Sequence, residues 1–320
     1  MVKNATEIRA LGVVGGAHVD RIARSAGAIV TGASNPGHFR EAIGGAAFNA
    51  AVAARAMGVP VSLLSGRGGD RAADLVGEAL AAHGIADRSV VWLDRPTPSY
   101  MALLDATGDL HAGIADMELY DLISPRVLRR RHIRDWLGSG VDLLIDANLS
   151  DGAIGSLCRA ATGRIAAIGV SPAKVVRLRA DLPRLDAVFL SRAEALRLAD
   201  AEPETRDDAL AAALRGLGIR HAVVTDGPRP AIVLTSGGVL RQAAPTVGAI
   251  KDVTGAGDTL ASVTFLAWRD GQTFAAAARL GLAAASLKIT ARLEPACLPL
   301  WQEIAAQLPD AELIEAKDTP

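Results

Sequence analysis

The chain contains a glycine-rich turn that runs directly into an apolar segment, Lys251-Asp252-Val253-Thr254-Gly255-Ala256-Gly257-Asp258-Thr259-Leu260. Backbone N–H groups around a Gly-Ala-Gly turn can converge on one point. The helix expected to begin there adds the positive end of its dipole, which favours a bound anion. The stretch therefore predicts a polyphosphate site in which Gly255, Ala256 and Gly257 hold the phosphate without many lysines.

Asp258 falls in the first turn of the expected helix. Beside a bound phosphate, its carboxylate could accept the proton of a hydroxyl nucleophile, which is the base role in phosphoryl transfer. Asp258 could equally be an ordinary helix-start residue in a strand-to-helix turn. These residues alone leave both interpretations open.

A second motif lies upstream and reads Gly44-Gly45-Ala46-Ala47-Phe48-Asn49-Ala50-Ala51. Gly44 and Gly45 allow the backbone to approach a ligand closely. Asn49, at the start of an alanine-rich helix, offers a donor and an acceptor to a vicinal diol. A glycine pair before a helix by itself usually marks only a loop. Its combination with the motif at 252–258, in this order along the chain, is a specific signal.

These two motifs resemble the signatures of the PfkB (ribokinase-like) carbohydrate and nucleoside kinases. The resemblance implies an α/β fold, namely a ribokinase-like three-layer sandwich with a mostly parallel central sheet and a small β lid. It also implies ATP and Mg²⁺ as cofactors. Asp258 would then be the base, and the amides of the glycine turn would stabilise charge on the transferring phosphoryl group.

The expected sugar contacts lie at strand ends. A buried strand over Ile8–Gly16 would bring Asp20 to the carboxyl edge, where open α/β sheets bind ligands. The first strand of the family commonly ends in Gly-x-x-x-x-Asp, whose carboxylate holds ribose hydroxyls, and Asp20 matches that position; it could also be an ordinary turn residue. Asn148, after the strand 141–146, is a further sugar-contact candidate.

Alternating strand and helix signals in the second half of the chain predict a parallel sheet covered by helices. Two turn-rich excursions interrupt the first half, and in the family such excursions form a lid over the sugar site that often dimerises. We therefore expect a homodimer that forms through the lid. The large nucleotide-binding domain would comprise residues 1–16, 49–96 and 121–320. The small β lid would comprise residues 17–48 and 97–120.

The resemblance extends to the nucleotide side. Thr225 and Gly227, at the end of one strand, would contact the nucleotide phosphates, and the last two long helices would form the adenine wall. Glu194 would hold magnesium through water, although Ser191 replaces the usual asparagine of that motif. The loop 291–295 lacks the glycine found in members that bind a monovalent cation at the Asp-x-Thr segment, which argues against potassium activation.

Within the family, three stretches resemble the bacterial pseudouridine kinases: Ser34–Gly37, Thr97–Asp105 and Ile114–Met117. We therefore expect phosphorylation of the ribose 5′-hydroxyl of pseudouridine, with Asn35 and Asp116 contacting the uracil-like ring. Asn-Pro-Gly is also an ordinary turn sequence. Ribokinase activity, another sugar or nucleoside kinase activity, or a sugar-binding regulator without catalysis are the alternatives.

Composition excludes several other classes of protein. A net charge of −1 and 3% aromatic residues give no electrostatic or stacking surface for nucleic acid. The basic run 126–134 is interpreted as the solvated face of a helix bounded by Pro125 and Gly138. No P-loop motif, leader peptide, disulfide framework or membrane-length apolar run occurs, so we expect a cytoplasmic protein with no membrane partner and a small-molecule substrate.

Overall fold

The computed structural model describes residues 9–290 and 298–314. Its strands are, in chain order, β1 Leu11–Val14, β2 His18–Ser25, β3 Gly37–Gly44, β4 Val61–Leu64, β5 Gly66–Arg67, β6 Ala86–Asp87, β7 Val90–Val91, β8 Ser99–Leu104, β9 Leu110–Asp116, β10 Asp142–Asp146, β11 Ile165–Ile168, β12 Ala187–Ser191, β13 Ala222–Asp226, β14 Arg229–Thr235, β15 Gly238–Gln242 and β16 Glu312–Leu313.

The helices are α1 Ala46–Ala56, α2 Arg71–Ala82, α3 Pro125–Leu128, α4 Arg131–Leu137, α5 Asp151–Ala160, α6 Pro172–Val175, α7 Arg192–Ala199, α8 Asp207–Gly216, α9 Ala256–Arg269, α10 Phe274–Ile289 and α11 Leu298–Gln307. Two 3₁₀ helices cover Glu118–Leu122 and Val176–Arg184. In the two described ranges, no helix combines the length and apolarity needed to cross a bilayer.

The central sheet has ten strands in the order β16-β15-β14-β13-β12-β11-β10-β1-β4-β6. The strands from β13 to β6 pair in parallel, whereas β13 to β16 form an antiparallel run. The chain leaves β1 towards β4 and β6, then returns to β10 on the other side of β1. The order therefore reverses between β1 and β10, and open α/β sheets bind ligands beside the carboxyl ends of strands at such a reversal.

Helices cover both faces of this sheet. Leu11 and Val13 of β1 belong to the core cluster that contains residues of α1, α2, α9 and α10, whereas Val14 belongs to the cluster that contains residues of α4, α5, α7 and α8. The alternation follows from the two-residue period of a strand, which sends neighbouring side chains to opposite faces. The predicted three-layer α/β fold with a mostly parallel sheet is confirmed.

A second sheet, called the small sheet below, has the order β3-β2-β8-β9 and uses residues of both excursions. Cross-strand pairing of Asp20 with Tyr100 puts these two side chains on one face. The opposite face carries the apolar residues Phe39, Met101 and Ile114, which are 84%, 48% and 69% exposed. The same face also carries the Arg21–Glu41 ion pair, so its exposed apolar side chains are interspersed with charged ones.

Two strands end earlier than expected from the sequence. β1 stops before Gly15, whose φ of 155° turns the chain and whose added Cβ would lie 2.3 Å from the Asp146 carboxyl carbon. β11 stops at Ile168, because Val170 has a φ of 69° that no strand residue adopts. Both strands give way to a tight turn at the carboxyl edge.

The basic run was predicted as a face of one helix, and this prediction is wrong. It forms two short helices, α3 and α4, joined by Arg130 in an extended conformation (φ −56°, ψ 137°). Leu128 and Ile133 are both buried but five residues apart, a spacing that one continuous helix would not put on one face. Breaking the helix lets each half bury its own apolar side chains.

Candidate active site

A buried carboxylate, Asp146, organises the carboxyl edge of the sheet at the reversal. It accepts hydrogen bonds from the backbone N–H of Gly16 (2.8 Å), Ala47 (3.1 Å) and Asn148 (2.9 Å). Burial raises the pKa of Asp146, and the hydrogen bonds from Gly16 and Asn148 oppose that rise. Asp146 thereby joins the turn after β1 to the start of α1. Sequence reasoning missed it, although an acid ending the apolar strand 142–146 was a usable signal.

The two glycines of the upstream motif are required by close contacts. A Cβ on Gly44 would lie 2.0 Å from an Asp20 carboxylate oxygen. Gly45 has a φ of 102°, and a Cβ there would lie 2.3 Å from the carbonyl oxygen of Gly16. These contacts let α1 begin at Ala46 directly beside the Asp20 carboxylate, so Asp20, Gly44 and Gly45 are neighbours in the structure.

The two sequence motifs meet through one hydrogen bond. Asn49 Nδ2 donates to Asp258 Oδ2 at 2.9 Å, joining residues 209 positions apart. Gly255 has a φ of 76°, and a Cβ there would come within 2.9 Å of the Asn49 amide. Only a glycine leaves room for this contact, so the glycine turn and Asn49 fit against each other.

Asp258 is the third residue of α9 and is half-buried in the cleft. Burial, helped by the negative charges of Asp146 and Glu194, raises the pKa of Asp258 to about 7. The hydrogen bond from Asn49 and the charge of Lys288 act in the opposite direction. A carboxyl group with a pKa near neutrality can both take up and release a proton at physiological pH.

The glycine turn lines a cavity of about 330 Å³, called the glycine-turn cavity below. Its lining includes Gly255, Gly257, Asp258, Glu194 and Thr225. A helix N-terminus, a carboxylate with a near-neutral pKa and a second carboxylate thus face one space. This combination suits a polyphosphate with its metal ion.

Glu194 and Ser191 form a reciprocal helix cap at the start of α7. Ser191 Oγ accepts from the Glu194 N–H at 3.3 Å, and Glu194 Oε2 accepts from the Ser191 N–H at 2.9 Å. The Ser-x-x-Glu spacing is the signature of this capping box. Burial raises the pKa of Glu194, and its hydrogen bonds with Ser191 oppose the rise. One carboxylate oxygen of Glu194 is therefore used by the cap and the other is not.

An apolar cleft of about 330 Å³ adjoins the glycine-turn cavity and shares Thr225, Gly257 and Leu260 with it. Gly227 lines the cleft with a φ of 57°. Helix α10 contributes Leu282, Ala285 and Ile289 to the same wall. The flat, largely apolar ring of a nucleotide base fits such a cleft, and the phosphates of the nucleotide would then reach the glycine turn.

Asn148 is buried, and its side-chain amide already has partners. Its Nδ2 donates to Asp146 at 3.1 Å, and its Oδ1 accepts from Lys174 Nζ at 2.6 Å. Burial lowers the pKa of Lys174, and the charge of Asp146 opposes that change. The structure therefore brings Asn148 to the carboxyl edge as part of a network around Asp146.

Asn35 and Asp116 lie apart from the other predicted site residues. Asn35 bonds its own loop, accepting from the Val30 N–H at 2.8 Å. It lies beyond the Ser25 end of the β2–β3 hairpin, about 20 Å from the His18 end. Asp116 pairs with Ser99 at the end of β9, on the face of the small sheet opposite Asp20.

The Asp-x-Thr segment before the glycine turn forms a small internal turn. Asp252 Oδ1 accepts from the Thr254 N–H at 2.8 Å. Burial alone would raise the pKa of Asp252, but the hydrogen bonds with Thr254 and the charge of Arg40 hold it below its ordinary value. The loop 291–295, on which the expectation about potassium rested, lies outside the described residues.

Residues 10–300 match the family model described as pfkB family carbohydrate kinase. The chain is 26% identical over 288 residues to the pseudouridine kinase of Escherichia coli K12, covering 87% of this chain and 90% of that protein.

Solved structures give the same result for the fold. A carbohydrate kinase from Agrobacterium tumefaciens is 35% identical with a TM-score of 0.83, covering 96% of this chain and all of that one. The Arabidopsis thaliana ribokinase complexed with ribose and ATP is 20% identical with a TM-score of 0.79, covering 92% and 99%. At 20% identity, the similarity to the Arabidopsis thaliana ribokinase shows a shared fold only.

Proposed function

The chain belongs to the pfkB family of carbohydrate kinases, and from that premise we propose that it transfers the γ-phosphoryl group of ATP to the ribose 5′-hydroxyl of pseudouridine. The family consists of ATP-dependent phosphotransferases. The observation that carries the proposal is the 2.9 Å hydrogen bond between Asn49 and Asp258, because it joins the acceptor motif to the phosphate motif at a single point.

In the proposed reaction, Asp258 accepts the proton of the ribose hydroxyl as that oxygen attacks the γ-phosphorus and the bond to the bridging oxygen of ADP breaks. Its raised pKa supports this role, since a base works best when its pKa is near the operating pH. The amides of Gly255, Ala256 and Gly257 would stabilise charge on the transferring group. Asn49 would hold the Asp258 carboxylate in line with the attacking hydroxyl.

The side chains of the glycine-turn cavity fit a hydrated magnesium ion. Glu194 and Asp258 both line it, and Glu194 has one carboxylate oxygen outside its helix cap. Residues 9–290 and 298–314 contain no cluster of three potential ligands that could enclose a metal alone. Proteins bind Mg²⁺ through one or two carboxylates together with substrate phosphates and water. Such an ion would neutralise charge on the phosphates, with Glu194 holding it through water.

The apolar cleft supports ATP as the donor. Its wall from α10 would cover the adenine ring, and Thr225 and Gly227 would contact the phosphates where the cleft meets the glycine-turn cavity. A monovalent cation is not part of the proposal.

On the acceptor side, Asp20, Gly44, Gly45 and Asn49 would bind the ribose hydroxyls. The close approach of Gly44 to the Asp20 carboxylate and the hydrogen bond from Asn49 to Asp258 support this. Asn148 would contribute through its network with Asp146.

The identity of the acceptor rests on the relative from Escherichia coli, which carries the name pseudouridine kinase. The sequence predicts Asn35 and Asp116 as contacts to the base, but Asn35 bonds its own loop beyond the far end of the β2–β3 hairpin and Asp116 is on the face of the small sheet opposite Asp20, so their placement does not support that role. Tyr100 is a rival for that role, because it is on the same face of the small sheet as Asp20.

We also propose that the protein is a homodimer through the small sheet. Phe39, Met101 and Ile114 are exposed apolar side chains on the side away from Asp20, where they flank the Arg21–Glu41 ion pair, and a second copy would bury them. Sedimentation of wild type and Phe39→Asp at micromolar concentration tests this. A dimeric wild type and a monomeric variant are expected, and a monomeric wild type contradicts the proposal.

The function itself is tested by transfer of labelled phosphate from ATP to pseudouridine, uridine and ribose, with the product identified by ³¹P NMR. We expect pseudouridine 5′-phosphate as the preferred product. A preference for ribose would instead favour the ribokinase alternative. Transfer to none of the three, with ATP still bound, would favour a sugar-binding regulator.

A further inference from the structure

Three side chains connect the core to the acceptor side where the chain enters and leaves the small sheet. His18 begins β2, and Tyr120 lies in the 3₁₀ helix that follows β9. His18 Nδ1 is 3.0 Å from the Tyr120 hydroxyl, and His18 Nε2 is 3.2 Å from Asp20 Oδ1. His18 and Tyr120 are 8% and 0% exposed, so neither side chain is a surface group.

With His18 neutral, the chemistry of the three groups allows one direction for the hydrogen bonds. Burial raises the pKa of Tyr120 well above its ordinary value, so the hydroxyl keeps its proton and can donate it to Nδ1. A carboxylate only accepts, so in the neutral imidazole the single ring proton is on Nε2 and Nδ1 is the acceptor. Tyr120 therefore donates to His18, and His18 donates to Asp20.

The Asp20 carboxylate is also confined on its other side. Its second oxygen lies 2.0 Å from where a Cβ on Gly44 would be, so only a glycine at this position leaves the carboxylate where it is. One oxygen of the Asp20 carboxylate thus contacts His18, and the other lies close to the Gly44 backbone. Binding of an acceptor to a carboxylate that is already oriented costs less conformational entropy than binding to a carboxylate that must first be ordered.

We propose that His18, held by Tyr120, is a positioning residue that orients the Asp20 carboxylate towards the hydroxyls of the acceptor. This inference rests on the proposed function, in which Asp20 binds ribose. His18 does not touch the transferring phosphoryl group in this account, so its removal weakens acceptor recognition and leaves ATP recognition intact. A purely structural role would instead lower stability and affect both substrates alike.

The test compares His18→Leu, His18→Gln and Tyr120→Phe, using whichever of pseudouridine, uridine and ribose the wild type phosphorylates fastest. His18→Leu removes the donor, and we expect the acceptor KM to rise about ten- to hundredfold with the ATP KM changed by less than about twofold. The Gln side chain carries an N–H at the position of Nε2, so His18→Gln is expected to recover most of the acceptor affinity.

Tyr120→Phe deletes one oxygen atom and leaves the ring to fill the core. We expect Tyr120→Phe to raise the acceptor KM by several-fold. In combination with His18→Leu it should cause no further rise in the acceptor KM, because the hydrogen bond from His18 to Asp20 is then already lost. Thermal unfolding of each variant separates loss of fold from loss of recognition. Tyr120→Phe also provides the answer if His18→Leu fails to fold.

Asp20→Asn is the control that separates this inference from the proposed function. If Asp20→Asn raises the acceptor KM while folded His18→Leu and Tyr120→Phe leave it unchanged, His18 does not position Asp20 and the inference is overturned alone. If Asp20→Asn leaves the acceptor KM unchanged, the acceptor site of the proposed function is wrong and the inference falls with it. A rise in both substrates' KM values with His18→Leu, not recovered by Gln, also contradicts the positioning role.

Discussion

The glycine turn and the small sheet differ in how the protein holds them. The turn lies between the central sheet and α9, a helix whose residues from Thr259 to Ala267 are all buried. The small sheet has two edge strands, β3 and β9, and most of their residues are exposed. The phosphate half of the proposed site is therefore built on the core, whereas the acceptor half partly depends on a thin sheet with an open face.

This difference suggests which half carries chemistry and which carries selectivity. Groups that must meet a transition state need a fixed geometry, which packed elements provide. Groups that choose among acceptors can be on an element that moves or changes without damaging the fold. Changes in the glycine turn should therefore affect turnover, and changes in the small sheet should affect acceptor affinity.

The largest effect is expected from Asp258→Asn. Loss of the proton acceptor should lower turnover by a factor of about one hundred or more, with ATP binding nearly intact. Asp74→Asn is the matched control, because it makes the same chemical change in the first turn of α2 at an exposed position. Steady-state kinetics checks both variants, and turnover of Asp258→Asn within tenfold of wild type would remove Asp258 as the base.

A smaller effect is expected on the acceptor side. Asp20→Ala and Asn49→Ala should each weaken acceptor binding by about 1–3 kcal/mol, because ribose hydroxyls lose a charged or amide partner. ATP affinity should hardly change. Calorimetry with each substrate alone measures both quantities. Weaker ATP binding with unchanged acceptor binding would mean that the two halves of the site are assigned the wrong way round.

Base selectivity distinguishes two residues of the small sheet. If Asp116 accepts the extra ring N–H of pseudouridine, the wild type should prefer pseudouridine to uridine by about 1.5–3 kcal/mol, and Asp116→Ala should lose that preference. If Tyr100 contacts the ring, Tyr100→Phe should change the preference instead. The ratio of the kcat/KM values for the two nucleosides, measured in each variant, shows which residue contacts the ring. If the preference for pseudouridine survives both substitutions, neither residue contacts the ring.

Stability should move in the opposite direction to activity at Asp258. The folded pKa of about 7 lies above the ordinary value of 3.8, so ionisation costs the folded state stability as pH rises from about 4 to 7. Asp258→Asn does not ionise and should be more stable than wild type by about 2 kcal/mol at pH 8, less than the full pKa displacement implies because the cleft is open to water. Urea unfolding at pH 4 and pH 8 measures this, and an equal difference at both values would contradict the raised pKa.

The two halves also differ in how far the sequence predicted them. The glycine turn and the Gly-Gly pair are local patterns with backbone requirements: Gly45 and Gly255 have positive φ angles that favour glycine, and Gly44 leaves room for the Asp20 carboxylate. The alternation of strands and helices likewise predicted the parallel sheet. Such features depend on neighbours in sequence, which a single chain displays.

Features that depend on distant neighbours were not predicted. Asp146 gains its importance from Gly16 and Ala47, and the face of Asp116 follows from the register of β8 against β9. Ser191 was interpreted as a missing asparagine, although its spacing to Glu194 is that of a capping box. Only the structure shows which of these side chains lie close together.

The pH dependence of kcat/KM tests the central claim, that Asn49 and Asp258 join the two halves into one catalytic centre. We predict an acid limb with an apparent pKa near 7 in the wild type, since Asp258 must be ionised to accept the proton. Asn49→Ala should move that limb to higher pH, because the Asn49 hydrogen bond favours the ionised carboxylate, whereas Asp74→Asn should leave it in place. A wild-type profile that stays flat between about pH 5 and 8, or a limb that Asn49→Ala does not move, would contradict the account.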